Sequence, residues 1–536
     1  MSGLRREVSV ATLGWLGLGS VFVLMRLAYV LEAPVGGAEL IHLSGAWQAR
    51  IGVDDARFAP TLFQAVSALL LHASSSELPS RLLAFAATGT IPGALYLLRP
   101  RLGEAGALLA LVLLAFDAPA ITLGGSATAM GFDLAVTTWL FVALSNRWEL
   151  SWGWVPAGFL VATAGPLPLA LAAGALGLTL VRGGTPRLRP SLLVAAGMVA
   201  GVVLTSLRFG LGPDGLRVAP FDLFGQSFDE RWSTANGFEL AGLYTWPLLA
   251  GGLGATAAAI FSFRRDVRDD TTLLLLAWAG VGAAWWLAAG ASHSPLAGVA
   301  LTTPLAILLG PQLVRALSAM TGADWRLARI LIPLAAVFVL LALANMVDWA
   351  RNGEVGGGDE QFRVAAFCAV ALGGLAIAAS SRRSLPAVLA PLGAAAVLAL
   401  LPGAFGVALA GGAEPLPSPL STPQVRDLRD IAFQASRDND GPIVIHSSLR
   451  DDATWPFRDS GDVVFASRVP PLAAVLVWPA TAARPDGFSV VEGDWALVRE
   501  MEPPTSGFLD VLRWYVDRNT LAVSPAAVAV YTRAKE

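Results

Sequence analysis

The chain has 536 residues, 55% of them hydrophobic and 14% charged, with a formal net charge of -3. A soluble domain cannot bury that much apolar surface, whereas a helix facing lipid needs no protein partner for it. The negative balance argues against a nucleic-acid partner, which would need a basic face. The single cysteine, Cys368 inside an apolar run, leaves no disulfide framework and no thiolate metal site.

Apolar runs predict membrane spans at residues 9–30, 81–98, 105–123, 130–145, 152–163, 166–181, 191–207, 240–262, 271–290, 297–316, 327–346, 363–380 and 386–410. Several are shorter than the ~20 residues of a full crossing. The first follows Arg5 and Arg6 as a signal peptide would, but it is long and lacks a small-residue cleavage site, so it reads as a retained helix. The runs on either side of Gly165-Pro166 read as a hairpin or as one kinked helix. Counted as two spans, they leave one set of loops holding Arg5 and Arg6; Arg99 and Arg101; Arg147; Arg182, Arg187 and Arg189; Arg264, Arg265 and Arg268; Arg315 and Arg326; Arg382 and Arg383. Short arginine-bearing loops stay cytoplasmic. Counting one span would put the later basic loops outside, so the charge pattern favours two and gives about thirteen transmembrane helices.

This topology places residues 31–80, 208–239 and everything beyond about 411 on the outer side, with a short Gly-rich, acidic loop at 347–362. The chain divides into a membrane domain, 1–410, and an extracytoplasmic domain, 411–536. In the first outer piece, a weakly amphipathic segment at 61–72 is suited to lying along the membrane surface. Abundant Gly and Ala fit close helix packing in lipid. No internal repeat is evident, which weakens a transporter reading.

The tail follows a proline-rich linker, Glu414-Pro-Leu-Pro-Ser-Pro419. Thr422-Pro423 reads as a helix start, with Thr422 as the capping hydroxyl and the helix running to about Ser436. Runs 442–446, 462–466, 472–478, 488–499 and 526–532 read as strands and 506–518 as a helix, so the tail is a small α/β domain. It has no Gly-rich phosphate loop and is assigned no nucleotide.

The first outer loop reads Ala38-Glu39-Leu-Ile-His42, then a helical stretch to Gly52, Asp54-Asp55, Phe58-Ala-Pro60 and Arg81 at the next span. That span exits through Leu95-Tyr96-Leu97-Leu98-Arg99-Pro-Arg101-Leu-Gly103. The tail holds Thr454-Trp455-Pro456-Phe457-Arg458-Asp459, Trp514-Tyr515 and Val530-Tyr531-Thr-Arg533. In these stretches the chain resembles the C-fold (GT-C) superfamily of membrane glycosyltransferases, and within it the flippase-associated family grouped with archaeal N-glycosylation proteins. The likeness covers residues 1–185 and pieces of the tail.

The resemblance implies a GT-C-like helical membrane fold that transfers a sugar from a polyprenyl-phosphate donor at the outer face. It implies an acid in the first outer loop, acting as base on the acceptor or holding a divalent metal; a carboxylate suits either role. The family's acidic pair is reduced here to Glu39, since Ala38 fills the first position, with His42 one turn on. The second outer loop, Gly124-Gly-Ser-Ala-Thr-Ala-Met130-Gly-Phe-Asp133, lacks the family's arginine and keeps Asp133 as a displaced second acid. Glu39 and Asp133 are thus the candidate catalytic or metal-binding residues, and His42, Arg208 and Arg217 the candidate substrate contacts. The arginines would grip a lipid phosphate bidentately. Each also has a plain reading. Glu39 is a helix-start charge, Asp133 an interfacial polar residue, His42 and His293 ordinary interface histidines, and the arginines snorkel to headgroups. Trp47, Trp232 and Trp246 could stack on sugar rings or anchor the chain at the interface. The rival function is a non-catalytic scaffold or lipid-binding partner in envelope glycan assembly that has lost the acidic pair.

Overall fold

The computed structural model describes residues 9–51, 61–146, 151–181, 188–207, 237–263, 270–289, 295–321, 325–352, 360–380, 385–410, 420–459, 463–502, 514–515 and 522–533. Among the described residues, seventeen α-helices precede a C-terminal layer built on one sheet. The first eight carry the candidate site: α1 Val10–Glu32, α2 Gly37–Arg50, α3 Leu62–Ala73, α4 Leu78–Thr88, α5 Ile91–Leu102, α6 Glu104–Ala115, α7 Ala118–Gly125 and α8 Ala129–Ser145. Then come α9 Trp154–Thr163, α10 Pro166–Val181, α11 Leu188–Ser206, α12 Gly237–Phe263 and α13 Asp270–Ala289. The last of the bundle are α14 Val299–Thr321, α15 Trp325–Asn352, α16 Glu360–Ser380 and α17 Leu385–Ala410.

Six stretches among the described residues are long and apolar enough to cross a membrane, one of them Leu78–Leu102, in which α4 and α5 run together. A bent pair adds a seventh: α6 and α7 meet at 72°. Among the described residues, six or seven of the about thirteen expected spans pass by length and composition together. The runs at 130–145, 152–163 and 166–181 are helical but shorter, and ten to seventeen residues at 1.5 Å each fall short of the ~30 Å hydrocarbon layer.

The run 105–123 breaks at Phe116-Asp117, where α7 begins with a proline in its first turn. That placement suits proline, whose missing N–H is unused there. The Gly165-Pro166 pair also separates two helices, α9 and α10. Where α9 meets α11, a Cβ on Gly158 would lie 2.1 Å from the Val194 carbonyl oxygen, and one on Gly197 would lie 1.9 Å from that of Val155. The two backbones touch through these glycines, as small-residue interfaces in lipid allow.

In the C-terminal layer, β1 Leu420–Ser421, β2 Ile443–His446, β3 Val463–Ala466, β4 Val475–Pro479, β5 Phe488–Glu502 and β6 Ala522–Arg533 form one sheet in the order β1-β5-β6-β4-β2-β3. β2 runs parallel to β3 and β4, and the other pairs are antiparallel. Strand alternation splits the core between two faces. Ile443, Ile445, Val475 and Val477 pack with Val425, Leu428 and Ala432 of helix α18, Gln424–Asp438. Val444, Leu476, Trp478 and Tyr531 pack on the other side. Thr422 does not cap α18. The cap position is Pro423, and the Thr422 hydroxyl instead donates to the Ala496 carbonyl, tying the helix start to β5. The predicted strand at 488–499 is one long, bulged strand. The predicted helix at 506–518 lies outside the described residues except for Trp514 and Tyr515.

Candidate active site at one end of the bundle

Helix α2 begins at Gly36 with Glu39 at its third position, where a carboxylate reaches back to the cap N–H and favours the helix dipole. The Gly36 N–H lies 3.4 Å from Glu39 Oε2. Glu39 is nonetheless no solvated loop residue: it is 2% exposed. Arg81, in the first turn of α4 and 3% exposed, grips it with both arms of its fork. Nε donates to Oε1 at 2.6 Å and Nη2 to Oε2 at 2.7 Å. The remaining arm, Nη1, donates to the carbonyls of Val30 and Ala33 at the end of α1, at 3.2 and 2.7 Å. The Ala127 N–H, in the α7–α8 junction, donates to Glu39 Oε1 at 2.9 Å. One carboxylate therefore joins the end of α1, the start of α2, α4 and the α7–α8 junction.

His42 sits one turn further along α2, on the same side, and is also buried. Its Nδ1 lies 2.9 Å from Gln64 Nε2 on α3. Burial disfavours the imidazolium and pushes its pKa down to about 4, so the ring is neutral at pH 7. Asp133, about one turn into α8, is fully enclosed. Its Oδ2 lies 3.4 Å from the Leu167 N–H at the start of α10, as an N-terminal acid should. A Cβ on Gly165 would fall 2.4 Å from Asp133 Cγ, so glycine makes the space. Asp133 Oδ1 has no hydrogen-bond partner among the described residues. Glu39 thus contacts the α7–α8 junction through Ala127, whereas Asp133, further along α8, contacts the start of α10 through Leu167.

Arg208, Arg217, Trp232, His293, Asp54 and Asp55 lie outside the described residues. Trp47 is buried beneath the Arg50 guanidinium, 4.2 Å from the ring centre, while Trp246 is exposed. Among the described residues no group of three or more His, Cys, Asp or Glu side chains could hold a metal ion. Both Glu39 oxygens already face a guanidinium, so the set as it stands does not fit a divalent cation.

Sequence reasoning missed a second buried polar knot. Arg26 of α1 donates to the Phe22 carbonyl at 3.0 Å and to the Leu114 carbonyl at 3.2 Å, where α6 ends. Asp117 stands at the start of α7 and accepts from the Thr302 hydroxyl at 2.9 Å. Cation at a helix C-terminus and acid at the next N-terminus stabilise the bend between them. The signal was present in Asp117-Ala-Pro119, an acidic cap followed by a first-turn proline.

No protein-family profile and no curated protein matches the chain. Solved structures do. ArnT from Cupriavidus metallidurans bound to undecaprenyl phosphate superposes with a TM-score of 0.53 at 16% identity, over 97% of this chain and 98% of that one. The apo state of that protein superposes with a TM-score of 0.50 at 19% identity, over 86% and 87%. This chain has the GT-C fold. In this chain the loop after the first span and the α7–α8 junction meet where the Ala127 N–H donates to Glu39.

Proposed function

We propose that the protein is a multi-pass membrane glycosyltransferase that moves a sugar from a polyprenyl-phosphate-linked donor to an acceptor at the outer face of the cell membrane. The observation that carries the reading is the likeness over nearly the whole chain to ArnT, a structure bound to undecaprenyl phosphate. Residues 1–410 form the membrane domain and 411–536 an outer α/β domain, on the side the arginine alternation assigns. The acceptor hydroxyl attacks the sugar's anomeric carbon, a base takes its proton, and the bond to the phosphate oxygen breaks with its electron pair. Glu39 is the candidate base, and it must give up one contact to Arg81 or Ala127 when the acceptor arrives. Asp133 is the second acid, and its Oδ1 accepts no hydrogen bond from the described residues. Neutral His42 is a candidate contact to the sugar or acceptor, and Arg208 and Arg217 are candidate contacts to the donor phosphate. The product is an envelope glycan or a glycosylated protein.

One observation favours a second reading, a non-catalytic scaffold or lipid-binding partner in envelope glycan assembly: every Glu39 oxygen is already consumed by protein donors. Glycan and glycolipid profiling of a deletion strain beside Glu39→Gln and Asp133→Asn strains, at matched membrane levels of protein, separates them. The enzyme reading expects both variants to reproduce the deletion profile, since loss of a general base costs about 10²–10⁴-fold in rate. If the deletion alters the glycans while both variants behave as wild type, the scaffold reading replaces it.

A further inference from the structure

Helix α2 carries Glu39 and His42, yet its principal packing partners are α3 and a short helix of the C-terminal layer, α19, Arg450–Ala453. The chain leaving α19 forms a corner, Thr454–Asp459. Trp455 of that corner is 3% exposed and lies in one apolar cluster with Leu40, Leu43 and Trp47 of α2 and Phe63 of α3. The Arg458 guanidinium lies 3.9 Å from the Trp455 ring centre and covers it. Arg458 Nε donates to the Ser75 carbonyl between α3 and α4 at 2.8 Å, and Nη1 donates to the Trp455 carbonyl at 2.8 Å. A third tie sits at the start of α2, where the Ser421 N–H donates to the Val35 carbonyl at 2.9 Å. The layer therefore holds α2 at its N-terminus, along its body and at the turn leading out of α3.

We propose that Trp455 and Arg458 are positioning residues for the candidate site: they seat α2 at the height where Glu39 meets Arg81 and Ala127. The C-terminal layer is then part of the site and not an appended module. Trp455 supplies apolar area that a 14-residue helix with few other partners cannot find elsewhere. Arg458 anchors that ring to the α3–α4 turn through charged hydrogen bonds, which are about twice as strong as neutral ones. Losing either lets α2 open while the sheet, which has its own two cores, stays folded. The seating stands on contacts alone; its consequence for sugar transfer rests on the proposed function.

The test uses the full chain purified in detergent, with Cys368→Ser removing the native thiol. Ala46→Cys reports on α2, being fully buried in the shared cluster, and Val477→Cys reports on the sheet core. Maleimide labelling rates are compared between wild type, Arg458→Ala, Trp455→Ala and the conservative Trp455→Phe. The expected result is labelling at least about tenfold faster at position 46 in both alanine variants, a floor for losing a charged hydrogen bond in one and a buried ring in the other, with position 477 unchanged and Trp455→Phe near wild type. An unchanged rate at position 46 overturns the proposal. So does equal acceleration at both positions, which would mean the corner merely supports the sheet. Glycan profiles of the same variants separate the two claims: faster labelling at position 46 with unaltered glycans keeps the seating and removes the transferase role of α2.

Discussion

Glu39 and Arg81 are both almost wholly buried, and each is the other's only charged hydrogen-bond partner among the described residues. Removing one member of a buried pair leaves an uncompensated charge and costs about 3–5 kcal/mol, whereas replacing both by neutral groups is often close to neutral. Glu39→Gln alone should therefore lower the thermal midpoint in detergent markedly, and Glu39→Gln with Arg81→Met should recover most of the loss. A single variant as stable as wild type would mean the fork contributes little. The sequence offers Glu39 only as an acid at a helix start; its partner lies 42 positions away, and nothing in the local pattern ties the two together. His42 makes a pH prediction. Its pKa falls from 6.5 to about 4, so the unfolded chain takes up the proton first. The stability linked to neutral His42 is complete above about 6.5 and is lost as pH falls toward about 4. At 1.36 kcal/mol per unit the full loss is about 3 kcal/mol. His42→Gln should flatten the acid limb of a midpoint-versus-pH curve, and an unaltered limb would assign it to other groups.

Elements were the most legible level. The apolar runs located the helices to within a few residues, because lipid imposes continuous hydrophobicity on a spanning segment. What composition cannot reveal is where a run bends. The break at Phe116-Asp117 is made by Arg26 and Thr302, from helices distant in sequence, and the crossing of α9 and α11 by which glycines happen to face each other. Gly197→Leu should drive α9 and α11 apart, since even a Cβ there would overlap the Val155 carbonyl oxygen. A leucine at Gly177, where a Cβ meets nothing within 4 Å, is the matched control. The position 197 variant should lose most of its folded yield in detergent chromatography while the position 177 variant keeps it. Equal yields would show that the α9–α11 crossing tolerates separation. Gly165→Ala is expected to behave like the first, because Asp133 occupies the space its methyl needs.

At the scale of the whole molecule, the GT-C fold was legible from a few clustered motifs around Glu39, Arg81 and the Arg99–Gly103 exit, with the middle of the chain contributing little. The site was legible only as a list of residues. That Trp455, almost the length of the chain away, shares a core with Leu40 could not be read from spacing, since long-range burial leaves no local period. The orientation across the membrane is the remaining global property, and the proposal for it rests on charge. Arg99 and Arg101 stand at one end of α5, at the opposite end of the Leu78–Leu102 span from Arg81 and Glu39. Because short basic loops remain on the cytoplasmic side, the proposed orientation puts Arg101 inside and α2, α3 and the sheet that packs on them outside. In a Cys368→Ser background, Gln434→Cys on the exposed side of α18 should react with a membrane-impermeant maleimide on intact cells. Arg101→Cys should react only after the membrane is permeabilised. The converse pattern would invert the protein, put Glu39 and Asp133 at the cytoplasmic face, and remove the outer-face transfer proposed for them; a silent Gln434→Cys on intact cells that labels on opening them would do the same.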